Sequence, residues 1–371
     1  MLLKKLSVRN FRNHPETDIH LDSGTTVLIG NNGEGKTNIL EAIYYLATGR
    51  SHLGSRDSEL IQWGASSFSI RGEVEKRNSR SLYDVSFSDS GKKKIRVNKK
   101  DIHKLSELIG QFFLVMFSPE TLKIVQGSPQ DRRKYLDFSA SQSNSQYFFY
   151  LQQYHKILMQ RNQLLKNNSR NPDLEESLLV WDEQLIEYGS ELIKRRDAFI
   201  RQLEKVVIPV HQKMTGKQEN IRIDYQSSIG EVALQPISNI KGLFETQLKR
   251  TRKIEKIRGH TLVGPHRDDI KIISNDNDLH RFGSQGQQRT AALSLKLAEV
   301  EMLFQETNEK PILLLDDVMS ELDDDRRMLL LELINGSYQT IITSTNLNPF
   351  KELDPAHMSV FNVRSGTVVR C

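Results

Sequence analysis

A chain of 371 residues, 37% hydrophobic and 27% charged, has the composition of a globular protein with room for two domains or three small ones. Its single cysteine, Cys371, excludes intrachain disulfides and cysteine metal sites and fits a reducing cytoplasm. The 52 Lys and Arg against 47 Asp and Glu give a formal charge of +5, a weak lean towards a polyanionic partner; no apolar run approaches a membrane span, and Met1-Leu2-Leu3-Lys4-Lys5-Leu6 lacks the apolar core of a signal peptide.

In chain order, Leu2 to Val8, Thr17 to Leu21 and Thr25 to Ile29 read as short strands, with turns at Asn13-His14-Pro15 and Asp22-Ser23-Gly24. The third strand runs into Gly30-Asn31-Asn32-Gly33-Glu34-Gly35-Lys36-Thr37, the spacing G-x-x-x-x-G-K-[ST] of a phosphate-binding P-loop. Asn38 to Leu46 follows with apolar residues at helical spacing, so strand, glycine loop and helix stand in the order that motif needs. The glycines free the backbone and leave room for phosphate. The loop amides and the helix N-terminus then face the anion. Lys36 supplies a charge for β- and γ-phosphates, and Thr37 a hydroxyl for Mg²⁺.

Residues 66–100 alternate as an antiparallel meander, with Phe68, Ile70, Gly72 and Val74 on one face and Tyr83, Val85 and Phe87 on the next. Lys92, Lys93, Lys94, Arg96, Lys99 and Lys100 at its end are candidate DNA contacts, weighed against a solubilising edge strand. Leu114-Val115-Met116-Phe117 is a buried strand, and Ser128-Pro129 starts a helix.

From 143 to 215 the spacing becomes helical. Leu151, Tyr154, Leu158 and Leu165 line one helix; Asn167 to Pro172 reads as a loop; Leu178, Trp181, Leu185, Tyr188, Leu192, Phe199, Leu203, Val206 and Val210 then follow a heptad-like stripe interrupted by Arg195. An antiparallel helical hairpin is the expected product. A second basic run, Lys249 to Arg258, reads first as a solvated helix face and second as a phosphate contact. The cluster Gly264-Pro265-His266-Arg267-Asp268-Asp269 has no second histidine at ligand spacing, which argues against a metal site.

Pro311 to Leu315 is a continuous apolar run, a strand buried on both faces, and it ends in Asp316-Asp317. Successive side chains on a strand point apart, so Asp316 can serve Mg²⁺ while Asp317 faces the γ-phosphate and polarises the attacking water. Thr340-Ile341-Ile342 is another buried strand, ending at Thr343-Ser344-Thr345.

Phe282-Gly283-Ser284-Gln285-Gly286-Gln287-Gln288-Arg289-Thr290 runs into a helical pattern (Ala291, Leu295, Ala298, Met302) and resembles the signature motif of ABC-type ATPases; Ser320-Glu321-Leu322-Asp323 resembles their D-loop. The order P-loop, helical insertion, signature, acidic pair, D-loop is similar to the SMC and DNA-repair branch of that superfamily. Leu6-x-x-x-x-Phe11-Arg12-Asn13, Gly127-Ser128-Pro129-x-x-Arg132-Arg133 and Gly264 to Asp269 resemble patterns of the RecF family.

The resemblance implies an α/β fold, an ABC-ATPase/SMC-like head with an antiparallel β meander and a helical second lobe. Head residues would be 1–138 and 261–371, and residues 139–260 an inserted lobe with a short arm. It implies ATP bound at Gly30 to Thr37, Asn38 and Arg12, with Lys36 and Asp317 catalytic and Thr37 and Asp316 holding Mg²⁺. It implies Ser284, Gln285, Gly286 and Gln287 contacting the γ-phosphate of a second copy, and Asp323 at the dimer interface. The implied activity is a slow DNA-dependent ATPase of recombinational repair, an ATP-dependent homodimer acting with RecO and RecR at single-strand gaps and supporting replication and the SOS response. Two departures stand out. Thr343-Ser344-Thr345 occupies the place of the switch histidine, and Ser118-Pro119-Glu120 that of the Q-loop glutamine. Both suit slow hydrolysis. The alternatives are an ATPase energising a membrane partner, a small-molecule kinase, and a scaffold that binds ATP without turnover.

Overall fold

The computed structural model describes every residue except 168–173, 321, 336 and 352, and the side chain of 333. Two compact units emerge, Met1–Thr121 with Glu299–Cys371, and Leu122–Ala298. The expected lobe at 139–260 lies inside the second, which also takes in 122–138 and 261–298.

The first unit holds two six-stranded sheets. One runs in the order Thr367–Arg370, Met358–Arg364, Thr25–Ile29, Thr340–Ser344, Ile312–Asp316, Leu114–Phe117, parallel except for the first strand. Ile312–Asp316 and Leu114–Phe117 are buried at every position, as unbroken apolar strands in a parallel sheet must be. Parallel pairing brings the carboxyl ends of Thr25–Ile29, Thr340–Ser344 and Ile312–Asp316 to one edge. The glycine loop, Thr343 and the two aspartates therefore meet there, where open α/β sheets bind ligands.

The other sheet is antiparallel, in the order His14–His20, Leu2–Phe11, Ser67–Lys76, Ser79–Ser88, Lys93–Val97, Lys100–Ile102. Phe68, Ile70, Val74, Tyr83, Val85 and Phe87 are buried, as their alternation predicts. The helix Lys36–Thr48 packs close to this sheet: a Cβ on Gly72 would lie 2.2 Å from Leu46 Cδ2. The first turn differs from expectation. The strand continues to Phe11 and the chain reverses at Arg12-Asn13, with His14 already paired opposite Phe11. Arg12 takes φ 55, the left-handed value a tight reversal imposes.

The second unit is mainly helical. Pro129–Ser143 starts with Ser128 and Asp131 in a reciprocal capping box. Helices Ser145–Asn167 and Leu174–Met214 form the expected hairpin. They run antiparallel, since Leu165 packs with Leu174 and Leu178 while Leu151, Tyr154 and Leu158 pack with Leu185 and Leu192. Beyond Asn167, the expected loop lies outside the described residues, as does Glu321 of the D-loop.

The stripe on the long helix also differs from expectation. Past Ile193 the buried positions are Arg196, Asp197, Ile200, Leu203, Val207 and His211, with Phe199, Val206 and Val210 half-buried. The interruption is Arg196, not Arg195. Arg196 is 2% exposed and satisfied by Asp137 Oδ1 at 2.7 Å and Pro265 O at 2.7 Å, whereas half-buried Arg195 pairs with Glu191 four residues earlier on the same helix. Polar residues that find partners can occupy a buried stripe, and hydrophobic spacing cannot register them.

A second buried network joins three helices. Arg161, fully buried, donates to Asp182 (2.8 Å), Glu255 (2.7 Å) and Thr261 (2.7 Å), and Arg252 pairs with the same Asp182. The second basic run is thus partly structural, with Arg252 on Asp182, Lys256 on Glu175 and Lys249 on Glu245.

Candidate functional site

The loop Gly30 to Thr37 is held from outside. Gly35, at φ 109, caps the helix Lys36–Thr48 without a side-chain cap, and a Cβ there would lie 2.5 Å from Asn13 Oδ1 and 2.7 Å from His14 Nε2. Gly30 lacks a side chain for a different reason than expected: its Cβ would meet Val363 O at 2.3 Å. Of the three glycines, only Gly33, at φ 85, has open space around its Cβ position.

Asn13 donates to Glu34 O at 2.9 Å and accepts from Asn38 Nδ2 at 2.8 Å. His14, fully buried, sets Nε2 3.0 Å from Gly35 O and Nδ1 2.8 Å from Gly366 O. Burial lowers its pKa against the two carbonyls, which raise it. Gly366 N–H donates to Glu34 O at 3.0 Å, and Ser365 N–H to the Glu34 carboxylate. The hairpin of Met358–Arg364 and Thr367–Arg370 thus buttresses the loop.

Lys36, 7% exposed, donates to Gly30 O at 2.8 Å and Asn31 O at 2.9 Å. Burial lowers its pKa, opposed by Asp317, Asp316 and Glu34. Thr37 Oγ1 donates to Asp316 Oδ1 at 2.8 Å, and Thr343 Oγ1 donates to the same oxygen at 2.8 Å. Thr343 Oγ1 also accepts from Asp317 N–H at 2.9 Å. One hydroxyl therefore ties both aspartates, at the place where sequence reading found only a missing histidine. Asp317 takes φ 52, so the chain leaves the strand direction there. An aspartate tolerates this left-handed conformation better than most residues.

Arg12 is bound to the helix that follows the loop. Its Nε and Nη2 make a bidentate pair with Glu41 at 2.8 and 2.9 Å, and Nη2 also donates to Ser55 Oγ at 2.6 Å. Glu41 is fully buried, and none of the motifs includes it. His52 was also missed. Both its ring nitrogens are buried without a hydrogen-bond partner, and burial lowers its pKa while Glu41 and Asp316 raise it.

The signature stretch lies in the second unit and opens the helix Gln285–Thr307. Ala291, Leu295, Ala298 and Met302 are buried, as their spacing predicts. Ser284 and Gln287 cap each other: Gln287 N–H donates to Ser284 Oγ at 3.2 Å, and Ser284 N–H to Gln287 Oε1 at 3.0 Å. That is a capping box in the spacing S-x-x-Q, readable from sequence but passed over. Ser284 and Gln285 are exposed, and Gly286 and Gln287 half-buried. Asp323 caps the helix Asp324–Ile334, accepting from Arg326 N–H at 3.0 Å.

Of the basic candidates, Lys93 is engaged by Asp57 at 3.0 Å and lies 4.6 Å from the Tyr45 ring centre. Arg96 pairs with Asp101 at 2.9 Å, and Lys94 stands 3.9 Å from the same carboxylate. Lys92, Lys99 and Lys100 are exposed; Asn98 and Lys99, at φ 52 and 68, form the two-residue hairpin turn.

The two remaining motifs form one junction. Arg132 makes a bidentate pair with Asp269 at 2.7 and 2.8 Å, and Arg133 donates to Asp268 O at 2.6 Å. His266 Nδ1 lies 2.6 Å from Tyr154 Oη and Nε2 3.1 Å from Thr261 O. Burial pushes its pKa down to about 3. The polar side chains of Gly264 to Asp269 are occupied by this packing.

The model of the RecF/RecN/SMC N-terminal domain family matches residues 2–368. A DNA replication and repair protein RecF from Ruminiclostridium cellulolyticum is 43% identical, over 100% of both chains. The chain belongs to the RecF family. A Bacillus cereus RecF is 41% identical over 99% of this chain and 98% of its own. A solved structure described as the recombination mediator protein RecF-ATPrS in the RecFOR pathway superposes with a TM-score of 0.93 at 37% identity, covering 100% of this chain and 98% of that one. An Smc head domain from Pyrococcus furiosus shares the fold, with a TM-score of 0.57 at 16% identity over 100% of this chain and 96% of its own. The α/β fold is thus that of an ABC-ATPase/SMC-like head, as expected. No described helix is long and apolar enough to cross a membrane.

Proposed function

We propose that this chain is an ATP-dependent DNA-binding protein of recombinational repair, a slow ATPase whose two copies close around two ATP molecules. The observation that carries this reading is the pair of half-sites. Lys36, Thr37, Asp316 and Asp317 gather at one sheet edge, and an exposed, capped helix N-terminus carries the signature in the other unit. Each half-site suits anionic oxygens, and a second copy is the natural source of the complement. Relatives named as RecF, one solved with ATP in the RecFOR pathway, support it.

In this reading the loop amides of residues 30–37 and Lys36 bind the β- and γ-phosphates, with Asn38 supporting the loop through Asn13. The Thr37 hydroxyl, which keeps its lone pairs while donating to Asp316, and the Asp316 carboxylate are hard oxygen donors that fit Mg²⁺. When bound, Mg²⁺ neutralises charge on the phosphates. Asp317 orients and polarises the water, fixed in place by its N–H bond to Thr343. Arg12 serves the site by holding Glu41 on the P-loop helix. Ser284, Gln285, Gly286 and Gln287 meet the γ-phosphate of the other copy, and Asp323 borders that interface. Lys92, Lys99 and Lys100 offer DNA phosphates their charge with the least prior engagement. RecO- and RecR-type mediators, gap loading of recombinase, replication and SOS support extend the reading by family.

Light scattering with Mg²⁺ and ATP, with and without duplex DNA, tests it. Wild type should double its mass, and Ser284→Arg should remain monomeric while still binding ATP. A monomer under every condition refutes the clamp. An ATPase for a membrane partner is disfavoured by the helical lobe, which has its own buried core.

A further inference from the structure

Gln287 does more than cap Ser284. Its side-chain amide has one orientation that satisfies both neighbours. Oε1 accepts from Ser284 N–H at 3.0 Å, and Nε2 donates to Glu219 Oε1 at 3.0 Å. A reversed amide would aim NH₂ at an N–H and a carbonyl oxygen at a carboxylate, two repulsive contacts. Glu219 thereby decides how Gln287 faces the signature.

Glu219 is itself anchored on its other oxygen. Ser274 Oγ, at the end of the strand Asp269–Ser274, donates to Oε2 at 3.3 Å, and His211 Nε2 lies 3.6 Å away. His211 is fully buried in the last turn of the 41-residue helix Leu174–Met214. Its Nδ1 lies 3.0 Å from Ser294 Oγ, which donates to Thr290 O at 2.8 Å and so accepts from His211 Nδ1–H. Ser294 and Thr290 stand on the signature helix itself. The base of the long helix thus touches the signature helix through the bond from His211 to Ser294.

We propose that Glu219 is a positioning residue for the signature motif: it fixes the Gln287 amide so that Ser284 and the first amides of the helix are set for phosphate. This rests on the proposed role of the signature in binding the nucleotide of a second copy. None of the motifs includes Glu219, and nothing in its local sequence marks it.

The test compares Glu219→Ala and Glu219→Gln, alone and with Gln287→Ala, using a non-hydrolysable ATP analogue. Three quantities are measured: analogue affinity of the monomer, the dimer dissociation constant by sedimentation, and amide exchange in the peptide containing Ser284 and Gln287. Glu219→Ala should weaken the dimer about ten- to a hundredfold, the scale of a hydrogen bond to a charged group, and should accelerate exchange at Ser284. Monomer affinity should stay unchanged. Glu219→Gln keeps a carbonyl acceptor for Gln287 Nε2 and should recover most of the loss. In the Gln287→Ala background, Glu219→Ala should add nothing.

An effect of equal size in that background, or no rescue by Gln, overturns positioning in favour of general packing. Unchanged dimers and unchanged exchange overturn the proposal outright. If wild type does not dimerise, the clamp fails on its own account. Exchange at Ser284 then decides: acceleration by Glu219→Ala upholds the positioning of Gln287, and its absence removes it.

Discussion

The P-loop and the signature are both helix N-termini that follow glycine, yet they are built in opposite ways. The P-loop helix begins at Gly35 with no side-chain cap and is shaped by Asn13, His14, Val363 and Ser365-Gly366, which are remote in sequence. The signature helix caps itself through Ser284 and Gln287 and takes one remote carboxylate, Glu219. The difference teaches where each site can break. The first is over-determined by tertiary contacts and tolerates little change in shape. The second is local in its cap, and its capping glutamine is oriented by one distant carboxylate.

The largest expected effect sharpens this contrast. Asp317→Asn should lower ATP turnover by about 10²- to 10⁴-fold, the range of a positioned general base, while ATP-driven mass doubling persists. Loss of the dimer as well would mean that Asp317 shapes the site, not the water. Next, Arg12→Ala strands Glu41, fully buried, without its bidentate partner. Chemical denaturation should show about 3–5 kcal/mol lost, the usual outcome of breaking a buried pair from one side.

Gly35→Ala attacks the remote clamp, because the new methyl meets Asn13 and His14 at a φ of 109. ATP affinity by calorimetry should fall by about 5- to 150-fold, given about 1–3 kcal/mol for a residue held in a disfavoured conformation. The equivalent local lesion, Gln287→Ala, should leave monomer affinity intact.

A fourth effect depends on pH. His266 is neutral when folded, with a pKa of about 3 against the ordinary 6.5. Between those values the unfolded chain binds a proton that the native chain does not, so stability falls as pH falls, by at most about 1.4 kcal/mol per pH unit. Burial lowers His14, His52 and His211 in the same direction. Denaturation midpoints for wild type and His266→Asn across this window should show a shallower slope in the variant. The smallest effect concerns Lys99 and Lys100. Replacing both with Gln should leave ATP binding unchanged and flatten the salt dependence of DNA affinity by roughly one to two units of slope. An unchanged slope removes this turn from the DNA surface.

Much of the architecture was legible because it is written in local signals. The strand before Gly30, the unbroken apolar run ending at Asp316, and the helical spacing after Ser284 each follow from the period of one element. The hairpin of the second unit was legible for the same reason until Arg196, where a satisfied buried charge displaced the apolar register. Glu41, Thr343 and Glu219 were not legible. Their roles come from partners 29, 27 and 68 positions away in the chain.

The sequence by itself determined which residues could bind phosphate, because glycine spacing, a lysine and a hydroxyl impose loop chemistry wherever they fold between strand and helix. Only the tertiary structure decided how these groups are held: Thr343 across both aspartates, His14 and Gly366 behind the loop, and Glu219 beneath the signature. The physical reason is that a hydrogen bond acts over about 3 Å of space, whereas a motif records only distance along the chain.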